Sequence, residues 1–537
     1  MTQTHEEKSA HRRYYITTAI DYPNAEPHIG HTLEKVAADV IVRYRRLQGY
    51  DTYFSMGLDE NSQHVVKAAE SHQVDLHTWV ERMDEAFRSA WTKLAISYDR
   101  WIRTTEEAHF RAAQEMFRRA QERGDVYKAL YSGWYCPNCN NFYRDEDLVE
   151  GKCPEHPMLA LEWVEEENYF FALTRYSEQL LAYIATHPRF VEPPSRLAEL
   201  MGFFRQGLRD FAISRKVNSQ RPAWGVPVPG DTTQVLYVWF DALTNYLTAV
   251  GFPDNTAQFT CYWPADAHVI GKDIIRFHCL YWPAMLMSAH LPLPKQIAVH
   301  GFITLEGQKI SKSRGNVVSP ATLVDEFGVD AVRYYALRGL AFGTDGDFNR
   351  AGLIQRYNDE LAKDLGNLLN RVVSMVKRYR QGVIPAPGVA GELECDLQRV
   401  ASEARQGVEQ ALESWEIGRA IECIWSLVKR TNQYLEQREP WKLARDANSS
   451  EHLNTVLYAA AEALRLLAIY LTPFIPTASA KILHQLGLET LRDGVWDSEG
   501  IWGAVPLGQL GESAVLFPRF EEKNVTEVKV SLDYKET

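Results

Sequence analysis

Tyr14-Tyr15-Ile16-Thr17-Thr18-Ala19-Ile20 is an apolar, β-branched run, and Pro27-His28-Ile29-Gly30-His31 follows it closely. The run reads as a buried strand. Beyond it, residues 32–47 place Leu33, Val36, Ala37, Val40, Ile41 and Tyr44 at helical spacing. A second strand reading, Thr52-Tyr53-Phe54-Ser55-Met56, comes next. Strand, helix, strand at this spacing predicts a parallel βαβ unit of a doubly wound sheet. Pro27 sits where a helix entry tolerates proline. Gly30 removes a side chain where a ligand could approach the backbone. A helix's first turn offers free N–H groups and a positive dipole end, which suits a phosphate. His28 and His31, three apart, share one face of that turn.

The 537 residues are enough for three or four domains with substantial cores. Hydrophobic content of 45% and charged content of 24% are ordinary for a globular protein. No stretch stays apolar for the length that a membrane span needs, so no membrane partner is expected. Residues 1–13 are polar and lack the apolar core of a secretory signal, so a cytoplasmic protein is expected. Net charge is −12, with 58 Lys+Arg against 70 Asp+Glu. Phosphate contacts need cations, so a nucleic-acid partner would have to meet a local basic face. Seven cysteines, an odd number, point to a metal site and free thiols rather than a disulfide framework.

The second strand runs into Gly57-Leu58-Asp59-Glu60-Asn61, and ligands sit at such strand ends in open α/β sheets. By position alone Asp59 reads equally well as a contact to a substrate cation or as a surface turn. After a helix over 110–126 come two knuckles, Cys136-Pro137-Asn138-Cys139 and Cys153-Pro154-Glu155-His156. Their spacing suits one tetrahedral Zn²⁺ per chain, and four protein ligands leave no open position, so the site should be structural. Residues 161–229 are loop-rich. Val235-Leu236-Tyr237-Val238-Trp239-Phe240 then reads as a buried strand followed by a helix over 241–250. His268-Val269-Ile270-Gly271-Lys272-Asp273 is another strand end, and the helix over 274–287 carries Phe277 and His278 in its first turns. A strand over 296–303 leads to Lys309-Ile310-Ser311-Lys312-Ser313. From Ser319 onward, 330–340, 350–379, 396–411, 416–436 and 453–471 show amphipathic period, which predicts a helix bundle.

The fold class expected is therefore α/β: a split Rossmann-type parallel-sheet catalytic domain with a zinc-binding insert, then an all-α helical bundle. The expected boundaries are 1–117 for the first half, 118–231 for the insert and 232–290 for the second half. A lysine-loop and connecting helical region follows at 291–350, the helical domain at 351–490 and a tail at 491–537. Lys309 and Lys312 lie in a Ser/Gly-rich loop that can close over a triphosphate, where preorganised cations stabilise charge growing on phosphate oxygens. If a substrate carboxylate attacks the α-phosphate, no protein nucleophile is needed and the product is an acyl adenylate. Taken alone, the two lysines read as a solvated basic turn.

His28-Ile29-Gly30-His31 and Lys309-Ile310-Ser311-Lys312-Ser313 resemble the two sequence marks of class I aminoacyl-tRNA synthetases, with Ile310 in place of the usual Met. Residues 14–517 are similar throughout to the methionyl-tRNA synthetases of the short bacterial or organellar type. That resemblance implies ATP-dependent activation of methionine, with Mg-bound ATP as substrate, and transfer to the 3′ end of initiator and elongator methionine tRNA. It implies ATP contacts at His28, Gly30, His31, Gly271, Asp273, Ile303, Lys309 and Lys312, of which His28, His31, Lys309 and Lys312 are catalytic. It implies a methionine pocket of Ile20, Tyr22, Asp59, Trp239, Ala242, Tyr246, Phe277 and His278, with Asp59 at the amino group, and a further active-site arginine at Arg215. A polarizable thioether suits an aromatic cage, although such aromatics also read as plain core. Anticodon reading falls to Asn367, Arg371 and Trp441, and zinc to Cys136, Cys139, Cys153 and His156. The enzyme is expected to act as a monomer.

Two positions depart from that pattern. Asn61-Ser62 follows Asp59-Glu60 where the family has His-Gly, and Asp21 lies where an apolar or aromatic residue is commoner. The alternatives are a class I synthetase for another apolar amino acid and an inactive RNA-binding paralogue. No segment between the half-sites is long enough for the editing insert that the leucine, isoleucine and valine enzymes carry.

Overall fold

In the computed structural model, which describes residues 12–136, 141–143, 145–154, 157–217, 223–310 and 317–521, six strands build one central parallel sheet. Their spatial order is Arg100–Arg103, Asp51–Leu58, Arg13–Thr18, Ala267–Gly271, Ile297–His300, Val191–Glu192. Chain order reverses between Arg13–Thr18 and Ala267–Gly271. At such a switch point the two flanking connections leave on opposite faces and a crevice opens at the carboxyl edge.

The helix Ile29–Leu47 packs on this sheet and buries the apolar positions its period marks, Leu33, Val36, Ala37, Val40, Ile41 and Tyr44. It also buries Glu34, Lys35 and Asp39. Buried charges persist only when paired and hydrogen-bonded. Asp39 meets that condition. One carboxylate oxygen lies 2.7 Å from both Arg43 Nε and Arg333 Nη2, and the other accepts from the Ser97 N–H at 2.7 Å and its hydroxyl at 2.6 Å. Arg333 comes from the helix Val329–Arg338, so this ion pair fastens that helix to Ile29–Leu47.

Residues 235–240 do not form one strand. Asp231–Leu236 pairs antiparallel with Ser214–Lys216 and Pro227–Val228 in a separate small sheet, and Val238–Leu243 is helical. The amides of Phe240 and Asp241 both bond back to the Tyr237 carbonyl, at 2.9 and 3.0 Å. A short buried helix and a buried strand share the same aromatic and β-branched composition, so the run itself could not separate them. The stretch 296–303 likewise divides at Gly301. Ile297–His300 stays in the central sheet, whereas Ile303–Leu305 pairs with Gln308–Lys309 and Gly346–Phe348. A Cβ at Gly301 would stand 2.1 Å from the Thr344 carbonyl oxygen, so only glycine admits that crossing.

Val126–Cys136 and Glu162–Phe171 form the long antiparallel pair of a four-stranded sheet, flanked by Asn141–Tyr143 and Phe211–Ala212. The described residues divide into two compact units. One runs to Phe348 and takes in Gly407–Ile421 and Arg492–Ser498; the other holds Asn349–Gln406, Glu422–Leu491 and the tail from Glu499. The second unit is helical. Arg350–Arg356 continues through a π-helical stretch, Tyr357–Gly366, into Asn367–Arg380. Ser450–Leu471 is apolar enough to resemble a membrane span, but 89% of its most apolar window is buried in the protein, which marks a core helix. Its Glu462 pairs with Arg465 at 2.6 Å and accepts from the amides of Gly503, Ala504 and Val505, holding the tail in place.

Asp39→Ala is expected to lower unfolding free energy by about 3–5 kcal/mol, because it strands the Arg333 guanidinium without its counter-ion. Denaturant unfolding of the variant measures this, and adding Arg333→Leu should recover part of the loss.

Candidate active site

The carboxyl ends of Arg13–Thr18, Asp51–Leu58, Ala267–Gly271 and Ile297–His300 open into a cavity of about 490 Å³. His28 stands at the N-cap of Ile29–Leu47. Its Nδ1 accepts from the Gly30 N–H at 3.1 Å, and the His28 N–H donates to His31 Nδ1 at 3.2 Å. The two rings therefore cap the helix reciprocally, with centroids 4.1 Å apart. A Cβ on Gly30 would stand 2.8 Å from the His28 ring, which explains the glycine. The first-turn amides are not open to an anion as expected. Ile29 N–H bonds the Val318 carbonyl at 2.9 Å and His31 N–H the His28 carbonyl at 2.9 Å. The cavity is lined here by His28 and His31. Burial first, and Lys35 second, bring His31 down to about 4, so it is neutral at pH 7.

Ile20, Tyr22 and Asp59 leave the first two strands into the cavity, and Trp239, Ala242, Tyr246 and His278 line its other wall. Phe277 stacks on Trp239, centroids 3.8 Å apart and planes within 4°. His278 Nδ1 faces the Ile274 carbonyl at 3.1 Å, so that nitrogen carries the proton and Nε2 accepts from the Tyr246 hydroxyl at 2.7 Å. Burial pushes Tyr22 and Tyr246 well above the usual phenol range and brings His278 down to about 4. This wall is neutral, aromatic and polarizable.

Asp59 is buried with Oδ1 lacking a hydrogen-bond partner. Burial, then the Asp241 carboxylate, pushes it well above the usual carboxylate range. Asp241 is itself fully enclosed, 2.6 Å from His109 Nε2 and 2.7 Å from Asn61 Nδ2. Asp21 is raised to about 7, by burial against the pull of Lys35. Gly271, Asp273, His300 and Ile303 also line the cavity. A Cβ at Gly271 would meet the Asp273 carboxylate at 2.6 Å. Ile310 also reaches the cavity, and its Cδ1 comes within 3.6 Å of a Cβ built on Gly30. The lysine segment thus begins beside the histidine helix start. Lys309 closes the strand Gln308–Lys309; Lys312 lies outside the described residues.

Arg215 is set apart from this cavity. It lines a second one, with its guanidinium 4.1 Å over the Tyr237 ring. Cys136 and Cys153 are fully buried and form no disulfide, while Cys139 and His156 lie outside the described residues. In the helical unit, Asn367 and Arg371 line an open groove with Lys363, Lys429, Asn432 and Gln433. Trp441, in the short helix Pro440–Leu443, is half-buried and is not among the groove's lining residues.

Sequence reasoning missed Glu34, Lys35, His300 and the His109–Asp241 pair. Glu34 and Lys35 are one turn beyond His31, on a helix whose charges read as solvated. His300 ends the parallel strand next to Ala267–Gly271, one strand away from the switch point, where carboxyl ends border the crevice.

Comparison with known proteins agrees with this geometry. The family model described as tRNA synthetases class I (M) matches residues 14–160 and 158–373, and the anticodon binding domain of methionyl tRNA ligase matches 384–533. The methionine–tRNA ligase of Caldanaerobacter subterraneus is 42% identical over 98% of this chain and 82% of its own. That of Thermotoga maritima is 42% identical over 89% and 76%. A solved Mycobacterium tuberculosis methionyl-tRNA synthetase in complex with methionyl-adenylate superposes with TM-score 0.90 at 39% identity, covering 95% of this chain and all of the other. The chain belongs to the methionyl-tRNA synthetases, class I ligases that use ATP to charge tRNA with methionine.

Proposed function

We propose that the central cavity forms methionyl-adenylate and delivers it to initiator and elongator methionine tRNA. The observation that carries the reading is the meeting, in one cavity, of the capped His28–His31 helix start, the aromatic wall and a buried carboxylate. The thioether lies against Trp239 and Phe277, with Ile20, Tyr22, Ala242, Tyr246 and His278 completing its pocket, and Tyr246 is oriented by His278. The ammonium meets Asp59. A buried carboxylate with one oxygen unpartnered gains much from such a cation. ATP takes the other half: ribose at Gly271 and Asp273, adenine at Ile303, phosphates at His28, Gly30 and His31. Lys309 and Lys312 stabilise charge that develops as the methionine carboxylate attacks the α-phosphate and pyrophosphate leaves. Arg215 serves the active site from its margin.

Residues 1–117 and 232–290 form the split catalytic domain around an insert at 118–231, with the lysine-loop region at 291–350. Asn367, Arg371 and Trp441, within 351–490, read the anticodon; the tail is 491–537. Cys136, Cys139, Cys153 and His156 hold one structural zinc, a reading supported by two fully buried thiols of the soft donor type zinc prefers. The enzyme works as a cytoplasmic monomer with Mg-bound ATP.

Lys312→Ala should lower methionine-dependent ATP–pyrophosphate exchange about a hundredfold or more while methionine binding stays near normal, because the cation acts mainly on transition-state charge. Near-normal exchange would remove the loop from the mechanism. Metal analysis of the purified protein should find about one zinc per chain. Cys153→Ala should lose it and expose the insert to proteolysis; a metal-free but protease-resistant wild-type insert would overturn the site. Trp441→Ala should weaken aminoacylation strongly, since base–aromatic stacking contributes about 1–3 kcal/mol, yet spare exchange, which needs no tRNA. Equal losses in both assays with a lowered Tm would mark Trp441 as structural.

A further inference from the structure

We propose that the second cavity, lined by Arg209, Arg215 and Arg276, receives the single-stranded 3′ end of the tRNA on its way to the adenylate; this rests on the methionine-charging reading above. The cavity holds about 260 Å³ and opens between the sheet of Glu162–Phe171 and the helical segment that carries Phe277 and His278. It is small by the standard of ligand sites, with room for a flat ring system rather than for a folded domain.

Two walls are shared with the first cavity. The π-helical turn Phe277–Tyr281 places His278 in the first cavity and Leu280 and Tyr281 in the second. Tyr237 lines the second cavity, while Trp239, two residues on, lines the first. The stacked Trp239–Phe277 pair therefore lies close to both spaces. The two cavities are thus neighbours along Tyr237–Trp239 and along Phe277–Tyr281.

The chemistry of the lining fits single-stranded nucleic acid, which is bound by cations along its backbone and flat side chains under its bases. Three guanidiniums converge here in a protein of net charge −12. Two carboxylates also line the cavity. Asp147 lies 3.4 Å from Arg209, and Asp210 accepts from the Tyr127 hydroxyl and from Thr174. Phe211 and Tyr281 stack at 3.9 Å with planes within 10° and present one broad aromatic surface. Arg276 lies 5.7 Å from the Tyr281 ring centroid, which leaves a guanidinium next to that surface. This placement also accounts for Arg215, which the family pattern assigns to the active site although it lies outside the adenylate cavity.

The test compares methionine tRNA transcripts with and without their three 3′-terminal nucleotides, using full-length protein. Wild type should bind the intact tRNA more tightly than the shortened one. Arg209→Glu, a half-exposed position that folding tolerates, should bind intact tRNA about tenfold more weakly and shortened tRNA as wild type does, with a salt slope shallower by about 0.7 per lost phosphate contact. Its methionine-dependent exchange should be unchanged. Arg276→Gln, read on tRNA binding alone, should repeat the pattern. No loss in either variant, or an equal loss for both tRNA lengths, overturns the proposal. Failure of the wild type itself to exchange with methionine or to charge methionine tRNA overturns instead the reading on which it rests.

Discussion

The ammonium of Lys35 has no water to turn to, and the geometry of the site follows from the partners it takes instead. It donates to the Ala19 carbonyl at 2.7 Å and to Glu34 at 2.8 Å, and lies 3.2 Å from Asp21. Ala19 and Asp21 are where the first strand leaves the sheet; Lys35 is on the helix that the two histidines begin. Glu34 passes the link to His300, 3.2 Å away at the end of another parallel strand. One cation thus ties two strand exits to one helix start. Its two carboxylates share it unequally. Burial alone would raise Glu34, but Lys35 and the hydrogen bond with His300 outweigh it and bring that group down to about 2. Asp21, farther from the ammonium, stays near 7. Ile20 and Tyr22 flank Asp21, so this part of the cavity wall is held by an ion cluster.

That cluster also shows which features were legible from residues alone. The apolar stripe of Ile29–Leu47 was, because apolar residues recurring at a period of 3.6 line up on one face of a helix and on no face of a strand. The parallel sheet and the cavity at its carboxyl edge followed from strand–helix–strand order. Lys35 was not legible: a buried charge and a solvated one have the same letter, and only packing distinguishes them. Trp239 lines the cavity, but a helix rather than the expected strand delivers it. His109 and Asp241 meet across 132 residues of sequence, a contact that no local pattern announces. The zinc knuckles and the lysine loop were read from motif spacing, and Cys139, His156 and Lys312 fall outside the described residues.

The two departures from the family pattern take on a physical meaning once their neighbours are known. Asp21, odd among apolar counterparts, has a buried lysine beside it. Asn61 stands where the family has histidine, and its amide donates to Asp241 at 2.7 Å and to the Thr104 carbonyl at 2.9 Å. His109 holds the other Asp241 oxygen at 2.6 Å and reaches Thr248 at 3.0 Å through its second nitrogen. Asp241 is thereby satisfied on both oxygens in a closed environment.

Asp59 differs, because its buried Oδ1 has no hydrogen-bond partner. Burial and the neighbouring Asp241 carboxylate both oppose its ionisation, so a charge there is costly while the cavity holds no cation. In the proposed reading, an amino acid arriving with its ammonium would remove that cost and make the group a strong acceptor. A carboxylate of the same shape that lacks the amino group would bring no ammonium to relieve Asp59. In the proposed reading, the aromatic wall meets the side chain by polarizability and fit, which discriminate weakly between similar apolar groups. The buried carboxylate would instead meet the α-amino group by charge, where the penalty for its absence is steep. On that reading, selection for an amino acid and selection for methionine fall to different walls of one cavity.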